Sequence, residues 1–128
     1  MTLLLDSHVA LWWESGDGTL SAAARKAIED PTRAAWCSAA SVWELAINVR
    51  SGKLILDVSG LIDGLDTNGI GIASVDGLDA VAGGSLGWSH NDPFDRMIVA
   101  QALRRGWTIV TRDRAILDFV GVDRSIPA

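Results

Sequence analysis

Short apolar segments that alternate with helical segments constrain the fold of this chain more than any other feature of its sequence. Buried strands are predicted at Leu3–Leu5, Ala34–Ala39, Ile70–Ala73 and Trp107–Val110, with an edge strand within Val120–Ile126. Strands that alternate with helices form a mainly parallel sheet, which helices cover on both faces. The sequence therefore predicts a single α/β domain over residues 1–128, with a short, mainly parallel sheet flanked by helices.

Helix boundaries are marked by capping and stop signals. Helices are predicted over His8–Glu14, Ser21–Asp30, Ser41–Arg50, Val58–Leu65, Leu78–Ala82, Asp92–Arg105 and Arg114–Phe119. Pro31 stops the second of these helices, and Ser51-Gly52 closes the third. Asp92-Pro93 is an ideal start for the longest helix, which Gly106 ends.

Composition places the chain among folded globular domains. Its 128 residues are 48% hydrophobic and 21% charged, which argues against intrinsic disorder. No apolar run approaches the ~20 residues that cross a bilayer, and the first residues lack the basic segment of a signal peptide. Cys37 is the single cysteine, so we expect no internal disulfide and no thiolate metal cluster. We therefore expect a cytoplasmic protein with no membrane segment.

Acidic residues outnumber basic residues, and the two are unevenly distributed. The net charge of −5 comes from 16 acids and 11 bases, which argues against a general nucleic-acid-binding surface. Residues 1–95 carry 13 acids and 5 bases, whereas residues 96–128 carry 3 acids and 6 bases. Most of the acids are aspartates, which fits helix caps and loops but also fits an oxygen-ligand site for a hard cation. Composition leaves both explanations open.

Five acids follow predicted strands or begin predicted helices. They are Asp6, Glu44, Asp92, Asp95 and Asp113. Ligands bind beyond the carboxyl ends of parallel strands, so these side chains are expected at one edge of the sheet. Converging carboxylates repel one another, and a divalent cation such as Mg²⁺ relieves that repulsion and can act on a phosphodiester. The spacing of the acids does not by itself name the reaction.

Each of these acids also has an ordinary structural explanation. Ser41-Val42-Trp43-Glu44 has the pattern of a capping box, in which the glutamate closes onto the amide of the N-cap residue. Asp92 and Asp95 have the positions of N-cap and N3 in their helix, while Asp6 and Asp113 could each cap the helix that follows. Capping does not explain why the acid-bearing helix starts come from separate strand–helix units.

Four segments of the chain match, in order, the motifs of a known family. The most specific is His90-Asn91-Asp92-Pro93-Phe94-Asp95-Arg96, and the others are Leu4–His8, Ser41–Ile47 with Gly52–Leu54, and Val110–Asp113. Together they resemble one branch of the PIN-domain nucleases, the VapC-type toxins of bacterial toxin–antitoxin pairs. The chain departs from that branch at Asn48, where lysine is usual, and at Gly87-Trp88, where Leu-Pro is usual.

The resemblance implies a PIN-like fold and an endoribonuclease that depends on Mg²⁺ or Mn²⁺. The family's catalytic and metal-binding acids fall on Asp6, Glu44, Asp95 and Asp113. Asp95 is preferred over Asp92 because the isoleucine and alanines that follow it have the family's spacing, which makes Asp92 an auxiliary acid or a cap. The role of His90, a metal or phosphate ligand or a hydrogen-bonded structural residue, stays open.

The resemblance also implies partners, namely an RNA substrate, a second copy in a homodimer, and a cognate antitoxin that packs into a groove between helices. Contacts with RNA phosphates are predicted for the basic residues nearest the acids, Arg96, Arg112 and Arg114, although such residues can also form a solvated face. Adjacent Trp12 and Trp13 point about 100° apart on a helix, so both cannot easily be buried, and one is a candidate anchor for a protein partner.

Two other functions compete with the nuclease. A non-catalytic PIN-fold binding module that acts through a protein partner is the alternative, and the presence of all four acids argues against it. A phospho-receiver domain is rejected because it needs a paired acid near the first strand and a lysine after a late strand. Here Asp6 is followed by Ser7-His8, and the late strand is followed by Thr111–Asp113.

Overall fold

Five strands form a sheet with the first strand at its centre. The computed structural model describes residues 1–128, and its strands are β1 (Thr2–Leu5), β2 (Ala34–Ser38), β3 (Gly71–Ala73), β4 (Thr108–Thr111) and β5 (Ser125–Pro127). The order across the sheet is β3-β2-β1-β4-β5, and every neighbouring pair is parallel. The prediction of a short, mainly parallel sheet is confirmed.

Seven helices connect and cover the strands. They are α1 (Ser7–Ser15), α2 (Ala22–Glu29), α3 (Ala39–Arg50), α4 (Val58–Thr67), α5 (Gly77–Ser85), α6 (Pro93–Arg105) and α7 (Arg114–Val120). Each predicted helix is present, and α3 begins earlier than expected because the Ser38 hydroxyl accepts a hydrogen bond from the Ala40 amide as its N-cap. None of the seven has the length and apolar character needed to cross a membrane.

Two apolar cores lie on opposite faces of the sheet because consecutive residues of a strand point to opposite faces. Leu3 and Leu5 belong to the larger core, which also contains residues of α1, α2, α3 and α4. Leu4 belongs to the smaller core, which contains residues of α6 and α7. Since β1 is buried on both sides, its apolar run is continuous rather than alternating.

The direction of the chain across the sheet reverses between β1 and β4. From β1 the chain continues to β2 and β3 on one side, and it then returns to form β4 and β5 on the other side. In open parallel sheets such a reversal leaves a crevice beyond the carboxyl ends of the two strands, where ligands bind. Asp6 directly follows β1 and Asp113 lies two residues past the end of β4, so the topology brings both to the crevice.

Trp12 and Trp13 are both half-buried and pack against the larger core, because α1 lies against α3, α4 and the sheet. The prediction that the two cannot both be fully buried is confirmed, and the role of one of them as an anchor for a protein partner stays a prediction. The exposed apolar side chains include Trp43 of α3, which is 64% exposed, and Leu78 and Val81 of α5.

Candidate functional site

Asp6 lies at the carboxyl edge of the sheet, one residue past β1. Its amide donates to the Val110 carbonyl at 3.0 Å, and its carboxylate accepts from the Ser7 amide and the Thr111 hydroxyl, both at 2.7 Å. The Thr111 hydroxyl also accepts from the Asp113 amide at 3.0 Å. One threonine therefore positions the acids that follow β1 and β4, and Asp6 and Asp113 also cap α1 and α7.

Glu44 reaches toward Asp6 from the second turn of α3. Its Oε1 accepts from the buried Ser7 hydroxyl at 2.8 Å. The capping box predicted at Ser41 does not form, because Ser38 is the N-cap of α3 and Glu44 therefore does not occupy N3. The Glu44 carboxylate is instead held by a residue that directly follows Asp6, which connects the β2–α3 unit to the β1–α1 unit.

The first turn of α6 gives its two acids different roles. Asp92 is the N-cap, and its Oδ1 accepts from the amides of Phe94 at 2.9 Å and Asp95 at 3.0 Å. Asp95 caps nothing, and its Oδ2 accepts from His90 Nε2 at 2.7 Å while its side chain is only 14% exposed. Helix capping therefore accounts for Asp92 and leaves Asp95 without a helix-forming role.

Burial and mutual repulsion raise the pKa values of three of these acids. Burial raises the pKa of Asp95 to about 6 against the hydrogen bond from His90, and the charges of Asp92, Asp6 and Asp113 raise it further. Burial also raises the pKa of Asp6 and of Glu44, and the charge of Asp6 adds to the effect on Glu44. The acids thus act on one another electrostatically, and none of the five forms an ion pair with lysine or arginine.

A stack of three rings holds His90 against Asp95. The Trp88 ring lies between the rings of His90 and Phe119, with centroids 4.6 Å away on each side. Trp88 occupies one of the positions where this chain departs from the VapC pattern, and here its indole supports the histidine from the side of α7. His90 is therefore a hydrogen-bonded residue whose orientation depends on an aromatic neighbour.

Arg96 fixes the loop that carries Trp88 and His90. Its guanidinium nitrogens donate to five backbone carbonyl oxygens, those of Gly83, Gly84, Leu86, Trp88 and His90. Because these bonds use the whole donor capacity of a guanidinium, none is left for an RNA phosphate. The predicted phosphate contact of Arg96 is therefore wrong, and its role is to shape the loop before α6.

The other two arginines predicted to contact RNA phosphates, Arg112 and Arg114, differ in how many protein groups hold their side chains in place. Arg112 lies over the Trp12 ring, 4.1 Å from its centroid, and borders a cleft that also contains Asp6 and Asp113. Arg114 is 83% exposed, and its nearest acidic partner is Asp118, with Nη1 3.9 Å from Oδ1. Of these two arginines, only Arg112 has a guanidinium that is fixed beside the acids.

The donor chemistry of the crevice fits a hard divalent cation. Carboxylate oxygens are the ligands that Mg²⁺ and Mn²⁺ prefer. No group of three or more histidine, cysteine, aspartate or glutamate side chains is arranged as a formed metal site. Mg²⁺ usually binds through one or two carboxylates and keeps several waters, so it does not need such a closed set. Half-buried acids with raised pKa values and no lysine or arginine partner suit an open site of this kind.

Two positioning residues, Ser7 and Thr111, are not identified by the sequence analysis. Both are buried hydroxyls that hydrogen-bond to the site acids, Ser7 to Glu44 and Thr111 to Asp6. Their positions in the sequence could have identified them, since Ser7 directly follows Asp6 and Thr111 lies two residues before Asp113. A hydroxyl beside a strand-end acid is a candidate for orienting that acid.

Comparisons with known proteins agree with this architecture. The PIN domain family profile matches residues 3–122. The chain is 35% identical over 118 residues to Ribonuclease VapC22 of Mycobacterium tuberculosis, a match that covers 90% of this chain and 89% of that protein.

Two solved structures share the fold. A chain in the crystal structure of VapBC2 from Rickettsia felis, bound to a DNA fragment from their promoter, superimposes with a TM-score of 0.67 at 15% identity, covering 100% of this chain and 98% of that chain. A PilT N-terminus domain protein from Sulfolobus solfataricus P2 superimposes with a TM-score of 0.58 at 11% identity, covering 99% and 87%.

Proposed function

The chain belongs to the PIN-domain family and, within it, to the VapC-like proteins, and on that basis we propose that it is an endoribonuclease dependent on Mg²⁺ or Mn²⁺. The observation that carries the proposal is the placement of Asp6, Glu44, Asp95 and Asp113 around the crevice between β1 and β4, with raised pKa values on three of them and no lysine or arginine partner. The name of the Mycobacterium relative, a ribonuclease, supports RNA as the substrate.

The residues of the chain have separable tasks in this mechanism. The four acids offer carboxylate oxygens to the cation, while Asp92 keeps the start of α6 in place. When bound, the cation neutralises charge on the scissile phosphate and makes a water molecule more acidic. Ser7 and Thr111 orient Glu44 and Asp6 through their hydroxyls, and His90 fixes one oxygen of Asp95 so that Oδ1 stays available.

We further propose that the protein is the toxin of a toxin–antitoxin pair and acts in the cytoplasm with a cognate antitoxin. The support is the likeness to VapC22 and to VapBC2. A homodimer is proposed as well, and an apolar pocket lined by Trp43, Val75, Phe94 and Met97 supports it, because the Trp43 side chain is 64% exposed there and a contiguous apolar surface favours a protein partner. Light scattering of the purified chain tests the dimer.

Cleavage of RNA by the purified chain tests the proposed activity. RNA should be cut in Mg²⁺ or Mn²⁺ and left intact in a chelator, and Asp95→Asn should lose the activity. Asp66→Asn is the matched control, because Asp66 is exposed near the end of α4, before β3 and away from the strand ends that carry the acids. If the intact chain binds its antitoxin but cuts no RNA with either metal, the non-catalytic binding module is the better description.

A further inference from the structure

We propose that the cleft beside Asp6 and Asp113 binds a phosphodiester of the RNA backbone, with Arg112 as the cation that holds it. This inference rests on the proposed ribonuclease function and extends it by naming the cleft and the residue that hold the phosphate. The cleft has a volume of about 260 Å³ and is lined by Asp6, His8, Val9, Trp12, Arg112 and Asp113. Since two of the site acids form part of its wall, the cleft adjoins the site.

The Arg112 guanidinium is held in place before any ligand binds. Its Nε donates to the Ala128 carbonyl at 2.8 Å, its Nη2 donates to the Thr19 carbonyl, and its plane lies over the Trp12 ring. Its Nη1 donates to no protein group. A fixed guanidinium loses little side-chain entropy on binding, and it suits the geometry of a phosphate better than a lysine does.

Electrostatics explain why the site needs a cation at this position. The acids that suit a metal ion also repel the negatively charged RNA backbone. A bound metal ion offsets this repulsion for the phosphate beside it but not for phosphates farther away. Arg96 cannot help because its donors are used by backbone carbonyls, whereas Arg112 keeps a free donor at the edge of the acids. The exposed His8 lines the same cleft, where its Nδ1 lies 3.3 Å from the Ser7 hydroxyl and its ring contacts the Trp12 ring.

Binding of a short, fluorophore-labelled single-stranded RNA of mixed sequence tests the proposal directly. All variants carry Asp95→Asn so that the RNA stays intact, and fluorescence anisotropy is measured over a range of salt concentrations. Arg112→Gln should weaken binding about tenfold and reduce the slope of log K against log salt by about 0.7, the value for one phosphate on a single strand. Arg112→Lys should keep most of the slope. Arg33→Gln, which removes a charge just before β2 at the opposite edge, should change neither quantity.

A second pair of variants covers the case in which Arg112→Gln does not fold. His8→Glu adds a carboxylate to the cleft at an exposed position, and it should weaken RNA binding by about tenfold relative to His8→Gln. Unchanged affinity and salt slope in folded Arg112→Gln, or equal affinities for the two His8 variants, would overturn the proposal. Failure of the ribonuclease function itself is seen separately, as the absence of RNA cleavage by the intact chain with Mg²⁺ or Mn²⁺.

Discussion

The Thr111 hydroxyl donates to Asp6 Oδ2 at 2.7 Å and accepts from the Asp113 amide at 3.0 Å, so a single buried side chain positions acids from two adjacent strands. This contact lies where the direction of the chain across the sheet reverses. It gives the site a rigid base, because the threonine belongs to β4 and is held by the sheet rather than by a loop.

Thr111→Val removes this hydroxyl while keeping the shape of the side chain. We expect Mn²⁺ affinity to fall about 10- to 100-fold, as is typical when a group that orients a metal ligand is lost. Stability should fall by about 1–3 kcal/mol because the Asp113 amide loses a partner. Thr111→Ser should restore both. Calorimetric titration with Mn²⁺ measures the affinity, and an unchanged value in the valine variant would show that Thr111 is structural only.

Trp88 is predicted to affect the metal site through His90 rather than by direct contact. Trp88→Leu removes the ring that stacks on His90, so Mn²⁺ affinity should fall by about tenfold, whereas Trp88→Phe should retain most of it. Trp107→Leu is the control because Trp107 stacks on Trp36 just before β4, at the opposite edge of the sheet. Equal losses of stability with no difference in Mn²⁺ affinity would show that the stack only supports the fold.

The raised pKa of Asp95 predicts how the stability of the metal-free protein depends on pH. The folded state retains a proton on this carboxyl up to about pH 6, whereas the unfolded chain releases it near 3.8. The stabilising contribution is therefore complete below pH 3.8 and is lost as the pH rises through about 6. Asp95→Asn should consequently stabilise the metal-free protein at pH 7 by about 1–3 kcal/mol, with the difference closing toward pH 4.

Urea unfolding at several pH values measures this difference. A role of Asp95 in helix capping predicts the reverse, a loss of roughly 1 kcal/mol in the asparagine variant at pH 7. Added Mg²⁺ should then stabilise the parent protein and leave Asp95→Asn unchanged, because only a folded state that binds the ion gains from it.

The opposite effect is expected for Asp79, a buried acid between α5 and α6 whose carboxylate pairs with two partly exposed arginines. It is 0% exposed, Arg105 Nη2 lies 2.9 Å from its Oδ2, and Arg104 pairs with its other oxygen. Burial alone would raise its pKa, but the Asp76 amide and the side chains of α6 hold the pKa below its ordinary value.

Loss of this carboxylate should therefore be costly. Asp79→Asn is expected to destabilise the fold by about 1–3 kcal/mol, since it removes the charge that two partly exposed guanidiniums share. The exposed Asp63→Asn variant should unfold at the same urea concentration as the parent. If Asp79→Asn unfolds at the same urea concentration as the parent, the stabilisation from the two ion pairs is cancelled by the free-energy cost of removing the Asp79 carboxylate from water.

The sequence predicted the sheet and the placement of the acids because both depend on local patterns. Apolar runs identified the strands, and Asp6 and Asp113 could be placed at the crevice because Asp6 directly follows one such run and Asp113 comes three residues after another. The start of α3 was predicted two residues late because two nearby serines, Ser38 and Ser41, both offer N-cap signals, and Ser38 is the one that caps the helix.

Contacts between distant segments could not be predicted in the same way. The roles of Arg96 and Thr111 depend on carbonyl and carboxylate groups that approach only after folding, and no spacing in the sequence specifies them. The partial burial of both Trp12 and Trp13 depends in the same way on distant segments, because α3 and α4 pack against α1.

Metal-dependent RNA cleavage by Asp95→Asn and Asp92→Asn, compared with the intact chain, tests the central claim most directly. Asp92 acts through a cap that asparagine can also form, so Asp92→Asn should keep measurable activity with Mg²⁺ or Mn²⁺. Asp95 caps nothing and offers its carboxylate to the crevice, so Asp95→Asn should abolish cleavage while the protein stays folded. Full activity in the folded Asp95→Asn variant, or equal loss in both variants, would contradict the account.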